Sequence, residues 1–107
     1  MENCRNCGKK FDEGKTEMKK MTREELLSKY AEGKRDFSSL NLSGIDLRGE
    51  DIQGADFTCS DLHGADLRGA YLRLVEFKGS DLRCADMRGA DLQFTNLSRN
   101  DMGGFFI

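Results

Sequence analysis

Two sets of residues in this chain have types and spacings that could support chemistry. The first is the pair Cys4 and Cys7 in the stretch CRNCG, which has the spacing of a zinc-ribbon knuckle. Two thiolates are half of a tetrahedral zinc site, and a second chain could supply a second knuckle. The alternatives are an N-terminal tail with reduced thiols, or a redox-active pair. We expect no cofactor, with zinc at Cys4 and Cys7 as the alternative.

The second set consists of aspartates and arginines that recur at intervals of twenty residues. The stretches IDLRGE, ADLRGA and ADMRGA begin at Ile45, Ala65 and Ala85, and each places an aspartate two residues before an arginine. If the chain returns to the same side every twenty residues, these charges stack in two parallel rows, and the opposite charges relieve the repulsion between like ones. With a second, more acidic side, the rows form our candidate binding face: Asp46, Arg48, Asp66, Arg68, Asp86, Arg88, Asp61, Asp81 and Asp101.

Other kinds of chemistry have little support in the sequence. There is no nucleophile beside a base and no phosphate-binding loop, and the lone His63 has no evident acid–base partner. The net charge of -2 does not favour nucleic acid, and no apolar run is long enough to span a membrane. The N-terminal stretch MENCRNCGKK is not a signal peptide. We therefore expect a non-enzymatic, cytoplasmic protein that binds neither a membrane nor nucleic acid directly.

The element that must position these residues is a repeat with a period of five. From Arg35 to Ile107, the third residue of every pentapeptide is apolar, the second is usually Asp or Asn, and the fifth is often Gly. The first is mostly small or apolar, and first and third residues share one face of an extended chain. Glycine at the fifth position tolerates the dihedral angles of a corner. Four such sides close a coil of twenty residues, with buried side chains stacked about 4.8 Å apart.

A short amphipathic helix is predicted before the repeat, in the stretch MTREELLSKYAEG. Thr22 and Glu25 form a capping box, and Gly33 suits the end of a helix. About three turns of helix are marginal alone, so its apolar side should cover the end of the coil. The predicted organisation is a flexible N-terminal tail with the CxxC motif at 1–20, a capping helix at 21–34, and a β-helix at 35–107.

The repeat resembles that of the pentapeptide-repeat family, whose consensus is A(D/N)LXX, from Arg35 to Ile107. The resemblance implies an all-β solenoid, specifically a right-handed quadrilateral β-helix of just under four coils with a short N-terminal capping α-helix. It also implies a protein that is not an enzyme, and we expect a protein-interaction scaffold whose partner is another protein of unknown identity. Arg35 and Glu50 depart from the pattern because they are charged at inward positions, so we expect them to lie near the cap and to pair there.

The resemblance also carries an alternative function. The quinolone-resistance members of the family resemble DNA, as acidic rods that occupy the DNA-binding saddle of gyrase and topoisomerase IV. DNA mimicry requires dense exposed negative charge. Residues 35–107 contain twelve acidic and eight basic residues, so the acid is partly cancelled. A DNA mimic that binds a type II topoisomerase is therefore the alternative to a general scaffold.

The C-terminal stretch NDMGGFFI suggests self-association. With no capping helix after it, the last coil would expose apolar surface and unpaired strand amides. A frayed terminus is the alternative. We predict a homodimer through the last coil, with Phe105, Phe106 and Ile107 at the interface.

Overall fold

The computed structural model describes residues 18–98, so residues 1–17 and 99–107 lie outside the described part of the chain. Its named elements are strand β1 (Lys19–Lys20), helix α1 (Arg23–Ala31) and strand β2 (Leu40–Asn41). From Asp36 onward, isolated parallel bridges join residues twenty positions apart, such as Asp46 with Asp66. The chain is therefore a β-solenoid that completes one coil every twenty residues, as the repeat predicts.

Main-chain hydrogen bonds between successive coils hold the solenoid together. The amide of Leu47 donates to the carbonyl of Asp66 at 2.8 Å, and the amide of Asp66 donates back to the carbonyl of Ile45 at 2.9 Å. At the corner that follows, the amide of Glu50 donates to the carbonyl of Leu47 at 3.2 Å, and Gly49 adopts a φ of 69°. Glycine reaches this left-handed conformation without the steric cost of a side chain, which explains its frequency at the fifth position.

Most of the interior consists of residues at the first and third positions of the repeat. The rings of Phe37, Phe57 and Phe77 stack in one column, with centroid separations of 5.8 and 5.5 Å. Ser60 and Ser80 occupy first positions, and their hydroxyls donate to backbone carbonyls, so that the buried polar atoms are satisfied. Each fully buried large apolar side chain contributes about 1.5–3 kcal/mol. The prediction that these two positions point inward is confirmed, because their side chains stack in buried columns. The buried third-position residues include Leu42, Leu47, Ile52, Leu62, Leu67, Leu72, Leu82 and Met87.

Helix α1 lies against the first coil. The hydroxyl of Thr22 accepts from the amide of Glu25 at 3.2 Å, and the Glu25 carboxylate accepts from the amide of Thr22 at 3.1 Å, which completes the capping box. Leu26 is fully buried, and the hydroxyl of Tyr30 donates to the carbonyl of Gln53 at 2.7 Å. The helix therefore covers apolar surface that the first coil would otherwise expose.

A strand ahead of the helix extends the solenoid by one further level. Strand β1 pairs in parallel with β2, with Lys19 opposite Leu40. The amide of Met21 donates to the carbonyl of Asn41 at 3.3 Å, and the Met21 side chain is buried. Lys19 and Lys20 belong to the segment 1–20 that the sequence suggests is a tail, yet here they add a short strand beneath the first coil.

The charged residues at inward positions, Arg35 and Glu50, do not pair with each other, so that expectation is wrong. Glu50 accepts a hydrogen bond from the guanidinium of Arg23 in α1. The guanidinium of Arg35 lies 3.7 Å from the centroid of the Tyr30 ring and donates to the Tyr30 carbonyl at 3.0 Å. Both residues lie near the cap as expected, and the helix supplies a separate partner for each.

Candidate binding faces

The outward residues of each pentapeptide stack on those of the next coil, and the bridges define the resulting faces. Each face is numbered here by its column of second-position residues. Face 1 carries Asp36, Asp56, Glu76 and Asn96; face 2 carries Asn41, Asp61 and Asp81; face 3 carries Asp46, Asp66 and Asp86; face 4 carries Asp51, Tyr71 and Asp91.

Face 3 contains the predicted rows of aspartate and arginine. Nε and Nη2 of Arg68 donate to the two carboxylate oxygens of Asp66 at 2.9 and 2.7 Å, a bidentate pair. Between coils, Arg68 Nε lies 3.8 Å from an Asp86 oxygen, and Arg48 Nε lies 3.6 Å from an Asp66 oxygen. The structure thus brings the predicted residues together in a continuous ladder of alternating charge, with bidentate pairs also at Asp46–Arg48 and Asp86–Arg88.

The second-position side chains also hold the turns of the solenoid. The amide of Arg48 donates to Asp46 Oδ1 at 3.2 Å, and the amide of His63 donates to Asp61 Oδ1 at 3.0 Å. Because these bonds stabilise the local turn, the aspartates and asparagines have a structural role independent of any partner. The same bond, to the amide two residues on, is made by Asp36, Asn41, Asp51, Asp56, Asp66, Asp81, Asp86, Asp91 and Asn96.

The ladder on face 3 stabilises the ionised form of its carboxylates. Hydrogen bonds from Arg48 lower the pKa of Asp46 to about 2, and hydrogen bonds from Arg88 lower the pKa of Asp86 to about 2. Arg68 lowers the pKa of Asp66 in the same way. These groups therefore stay charged at neutral pH and are not suited to exchange protons with a substrate.

Face 2 is less acidic at its surface than its sequence suggests. The side chain of Asp81 is only 10% exposed, and Arg83 forms a bidentate pair with it at 3.0 and 2.7 Å. Asp61, one coil below, has His63 two residues on where Asp81 has Arg83. Asp101, the third predicted member of this row, lies outside the described residues. Within the described part of the face, Arg83 offsets one of the two carboxylates.

Sequence reasoning missed three exposed apolar side chains, two at the corner that joins face 4 to face 1 and one on face 4. Tyr71, Leu74 and Phe94 are 52%, 64% and 73% exposed. We call these three residues the apolar corner. Leu74 and Phe94 occupy fifth positions, in the pentapeptides AYLRL and ADLQF, and Tyr71 occupies a second position. The sequence did contain a signal, because the repeat favours Asp at the second position and Gly at the fifth, and these three residues differ from both.

Two other kinds of site have no support in residues 18–98. No group of three or more His, Cys, Asp or Glu side chains there could hold a metal ion. No helix in that range is long and apolar enough to cross a membrane. Cys4 and Cys7, the predicted zinc ligands, and Phe105, Phe106 and Ile107, the predicted dimer interface, lie outside the described residues.

Solved structures of similar shape are repeat solenoids. A pentapeptide repeat protein from the thylakoid lumen of Arabidopsis thaliana is 31% identical, with a TM-score of 0.60 over 64% of this chain and 47% of that one. The pentapeptide repeat protein Rfr23 from the cyanobacterium Cyanothece 51142 is 24% identical, with a TM-score of 0.55 over 67% of this chain and 59% of that one. This chain spans less than two thirds of either protein, so the likeness concerns the repeat region.

A comparison of the sequence with protein-family models agrees with the structural similarity. The model for pentapeptide repeats in eight copies matches residues 36–73 and 70–104. No curated protein matches the chain at a significant level. Over residues 36–98, the matched segments cover the coils that the structure describes and their inward third positions. The chain belongs to the pentapeptide-repeat family.

Proposed function

We propose that the chain is a non-enzymatic protein-interaction scaffold that acts in the cytoplasm. Pentapeptide-repeat proteins are generally structural or interaction proteins. The observation that carries the proposal is the fixed geometry of the outward side chains. On face 3, Asp66 holds both the amide and the guanidinium of Arg68, and the same arrangement recurs one coil below and one coil above. Side chains that are already ordered lose little entropy on binding, which favours recognition of another protein.

The test is saturable capture of a partner. The full chain, immobilised through one end, is incubated with an extract of the cells that produce it, and free chain is added as competitor. We expect a small number of proteins to be retained and to be displaced by free chain in proportion to its concentration. A heat-unfolded sample of the same chain is the control. Absence of any protein that free chain displaces would contradict the scaffold function.

The alternative, a DNA mimic that binds a type II topoisomerase, draws its support from face 1. That face carries the carboxylates Asp36, Asp56 and Glu76, with Lys78 as its cation within the described residues. Face 3 offers less, because its three aspartates are matched by three arginines. A mimic of duplex DNA needs uncompensated negative charge along its length.

A supercoiling assay with gyrase separates the two proposals. DNA mimicry predicts inhibition by the wild-type chain at micromolar concentration and weaker inhibition by an Asp56→Asn, Glu76→Gln variant. An Asp46→Asn, Arg48→Gln variant on face 3 is the matched control and should inhibit like wild type. If the wild-type chain leaves supercoiling unchanged, the topoisomerase alternative is excluded and the general scaffold stands.

Assembly is a separate part of the proposal. The predicted homodimer through Phe105, Phe106 and Ile107 and the predicted zinc site at Cys4 and Cys7 can be distinguished by light scattering. A dimer that is lost in a Phe105→Ala, Phe106→Ala variant would support contact at the last coil. A dimer that is lost only with a chelator would support zinc-assisted assembly. A monomer under every condition would contradict both.

A further inference from the structure

The apolar corner places large apolar side chains at fifth positions, whereas the other described fifth positions hold Gly, Ser or Cys, of which Ser39, Cys59 and Cys84 also adopt a positive φ. In the coil below, the equivalent fifth position is Gly54, with a φ of 77°. Leu74 and Phe94 each adopt a φ of 61° at the same corner. A large side chain in this left-handed region is strained, because its Cβ lies close to the backbone. The sequence therefore places two bulky residues at positions that glycine occupies at lower energy.

Burial does not compensate for this strain. The side chains of Leu74 and Phe94 remain 64% and 73% exposed, so little of their apolar surface leaves water. The guanidinium of Arg73 lies 6.0 Å from the Phe94 ring, at the outer limit of a cation–π contact. Strained residues that gain little within their own chain are candidates for a functional role.

Tyr71, the second-position residue of the apolar corner, also departs from the repeat, which usually has Asp or Asn at this position. Asp51 and Asp91, one coil below and one coil above Tyr71, each accept the amide two residues on, at 3.3 and 3.2 Å. Tyr71 has no carboxylate with which to make this bond. Its ring instead adds exposed aromatic surface on face 4. Tyrosine and phenylalanine are enriched in the centres of protein interfaces, where they act as anchors.

The surroundings of the apolar corner carry a surplus of negative charge. Four carboxylates and two cations lie on faces 4 and 1 across these three coils, in residues 51–58, 71–78 and 91–98. Arg73 Nε lies 4.0 Å from an Asp91 oxygen, so the charge of Arg73 is partly offset by Asp91. One carboxylate oxygen of Glu76, two residues beyond Leu74, is buried and has no hydrogen-bond partner in the described structure. The carboxylates are Asp51, Asp56, Glu76 and Asp91, and the cations are Arg73 and Lys78.

We propose that the apolar corner is the docking surface of the scaffold, and that its partner is a protein segment with an apolar stripe flanked by lysine or arginine. The proposal rests on the scaffold function. Tyr71, Leu74 and Phe94 supply the apolar anchors, and the surrounding carboxylates attract the partner's cations. A second copy of this chain fits less well, because it would bring the same surplus of carboxylates against itself. A basic amphipathic helix has the required pattern of charge and apolar surface.

The test uses a fluorescent amphipathic helical peptide of leucine and lysine, with binding measured by anisotropy against the full chain. The key variant, Tyr71→Asp, Leu74→Gly, Phe94→Gly, restores the residue types of the repeat and should keep the fold. It also adds one negative charge, so attraction by charge alone would make it bind the peptide more tightly. We expect binding to weaken by about tenfold or more, as loss of interface anchors does.

Two controls test whether binding depends on the apolar corner and on the charge of the peptide. A Glu24→Gln, Lys34→Gln variant changes two exposed residues at the N-terminal cap without altering the net charge and should bind like wild type. A peptide of leucine and glutamate in the same pattern should bind the wild-type chain at least about tenfold more weakly. Equal binding of the lysine peptide by the wild-type and restored chains would overturn the proposal. Equal binding of the two peptides by wild type would overturn its charge component and therefore the stated partner chemistry.

The outcome can be separated from the scaffold function itself. If the wild-type and restored chains capture the same protein from the extract equally well, the scaffold function stands and the apolar corner is not its docking surface. If neither chain captures a protein that free chain displaces, the scaffold function fails, and the docking proposal fails with it. Capture lost only in the restored chain, together with selective lysine-peptide binding, supports the docking surface.

Discussion

Face 3 and the apolar corner belong to the same solenoid and differ in how closely they follow the repeat. Among the described residues of face 3, each second position is an aspartate that bonds a turn amide and an arginine, and Gly49, Gly69 and Gly89 occupy the corners. At the apolar corner, Leu74 and Phe94 replace glycine, and both are strained and exposed. The regular face satisfies its own polar groups, whereas the irregular corner leaves apolar surface in water.

The contrast shows where to look for function in a protein whose surface is periodic. Charged residues in register attract attention in the sequence, but on face 3 their charges are matched within the chain, and exposed ion pairs contribute little. A residue that breaks the pattern and gains little within its own chain is more informative. Four predictions test this contrast, beginning with the largest effect.

The first prediction compares two phenylalanines. Phe57→Ala should lower the free energy of unfolding by about 3–5 kcal/mol, because Phe57 is fully buried between two other rings. Phe94→Ala should change it by no more than about 0.5 kcal/mol, because the side chain is largely exposed. Urea denaturation followed by circular dichroism measures both. Equal losses would mean that Phe94 packs as part of the core.

The second prediction separates the turn from the ion pair on face 3. Asp66→Ala should lower the free energy of unfolding by about 1 kcal/mol, because the turn amide of Arg68 loses its acceptor. Asp66→Asn keeps an oxygen for that amide and should cost less. The same denaturation experiment compares the two variants. If Asn and Ala are equally destabilising, the ion pair and not the turn accounts for the role of Asp66.

The third prediction concerns strain at the apolar corner. Leu74→Gly should raise the free energy of unfolding by about 0.5–1 kcal/mol, since relief of the left-handed strain exceeds the entropic cost of glycine. The reverse change one coil below, Gly54→Leu, should lower it by a similar amount, because the position has open space but a φ of 77°. Thermal unfolding of both variants provides the measurement. A destabilised Leu74→Gly chain would show that Leu74 serves the fold.

The fourth prediction is the dependence of stability on acid. Hydrogen bonds from arginine lower the pKa of Asp46 and of Asp86 from an ordinary value of 3.8 to about 2. A depressed carboxylate pKa stabilises the folded state above the ordinary value, and this contribution is lost as the pH falls toward 2. Unfolding experiments between pH 5 and pH 2 should show a decline that is shallower in an Asp46→Asn, Asp86→Asn variant. Identical pH profiles would contradict a role for these pairs.

The sequence predicted the pattern of the fold but not its local partners. The apolar third positions predicted the inward columns, and the spacing of twenty residues predicted which aspartates stack. The pairing of Glu50 was predicted wrongly, because Arg23 in α1 reaches it from a part of the chain with no repeat. The exposure of the apolar corner was also missed, because leucine and phenylalanine at a fifth position resemble core residues when only composition is considered.

The amino-acid sequence by itself determined the solenoid, because its apolar period of five fixes which side chains share a face and how often the chain returns. Only the tertiary structure decided which charges are neutralised and which apolar groups stay in water. Arg68 reaches Asp66 within its own pentapeptide and approaches Asp86 across the coil, whereas Leu74 and Phe94 are turned outward by a left-handed corner. These outcomes depend on distances between coils and on backbone dihedral angles, which a periodic pattern does not specify.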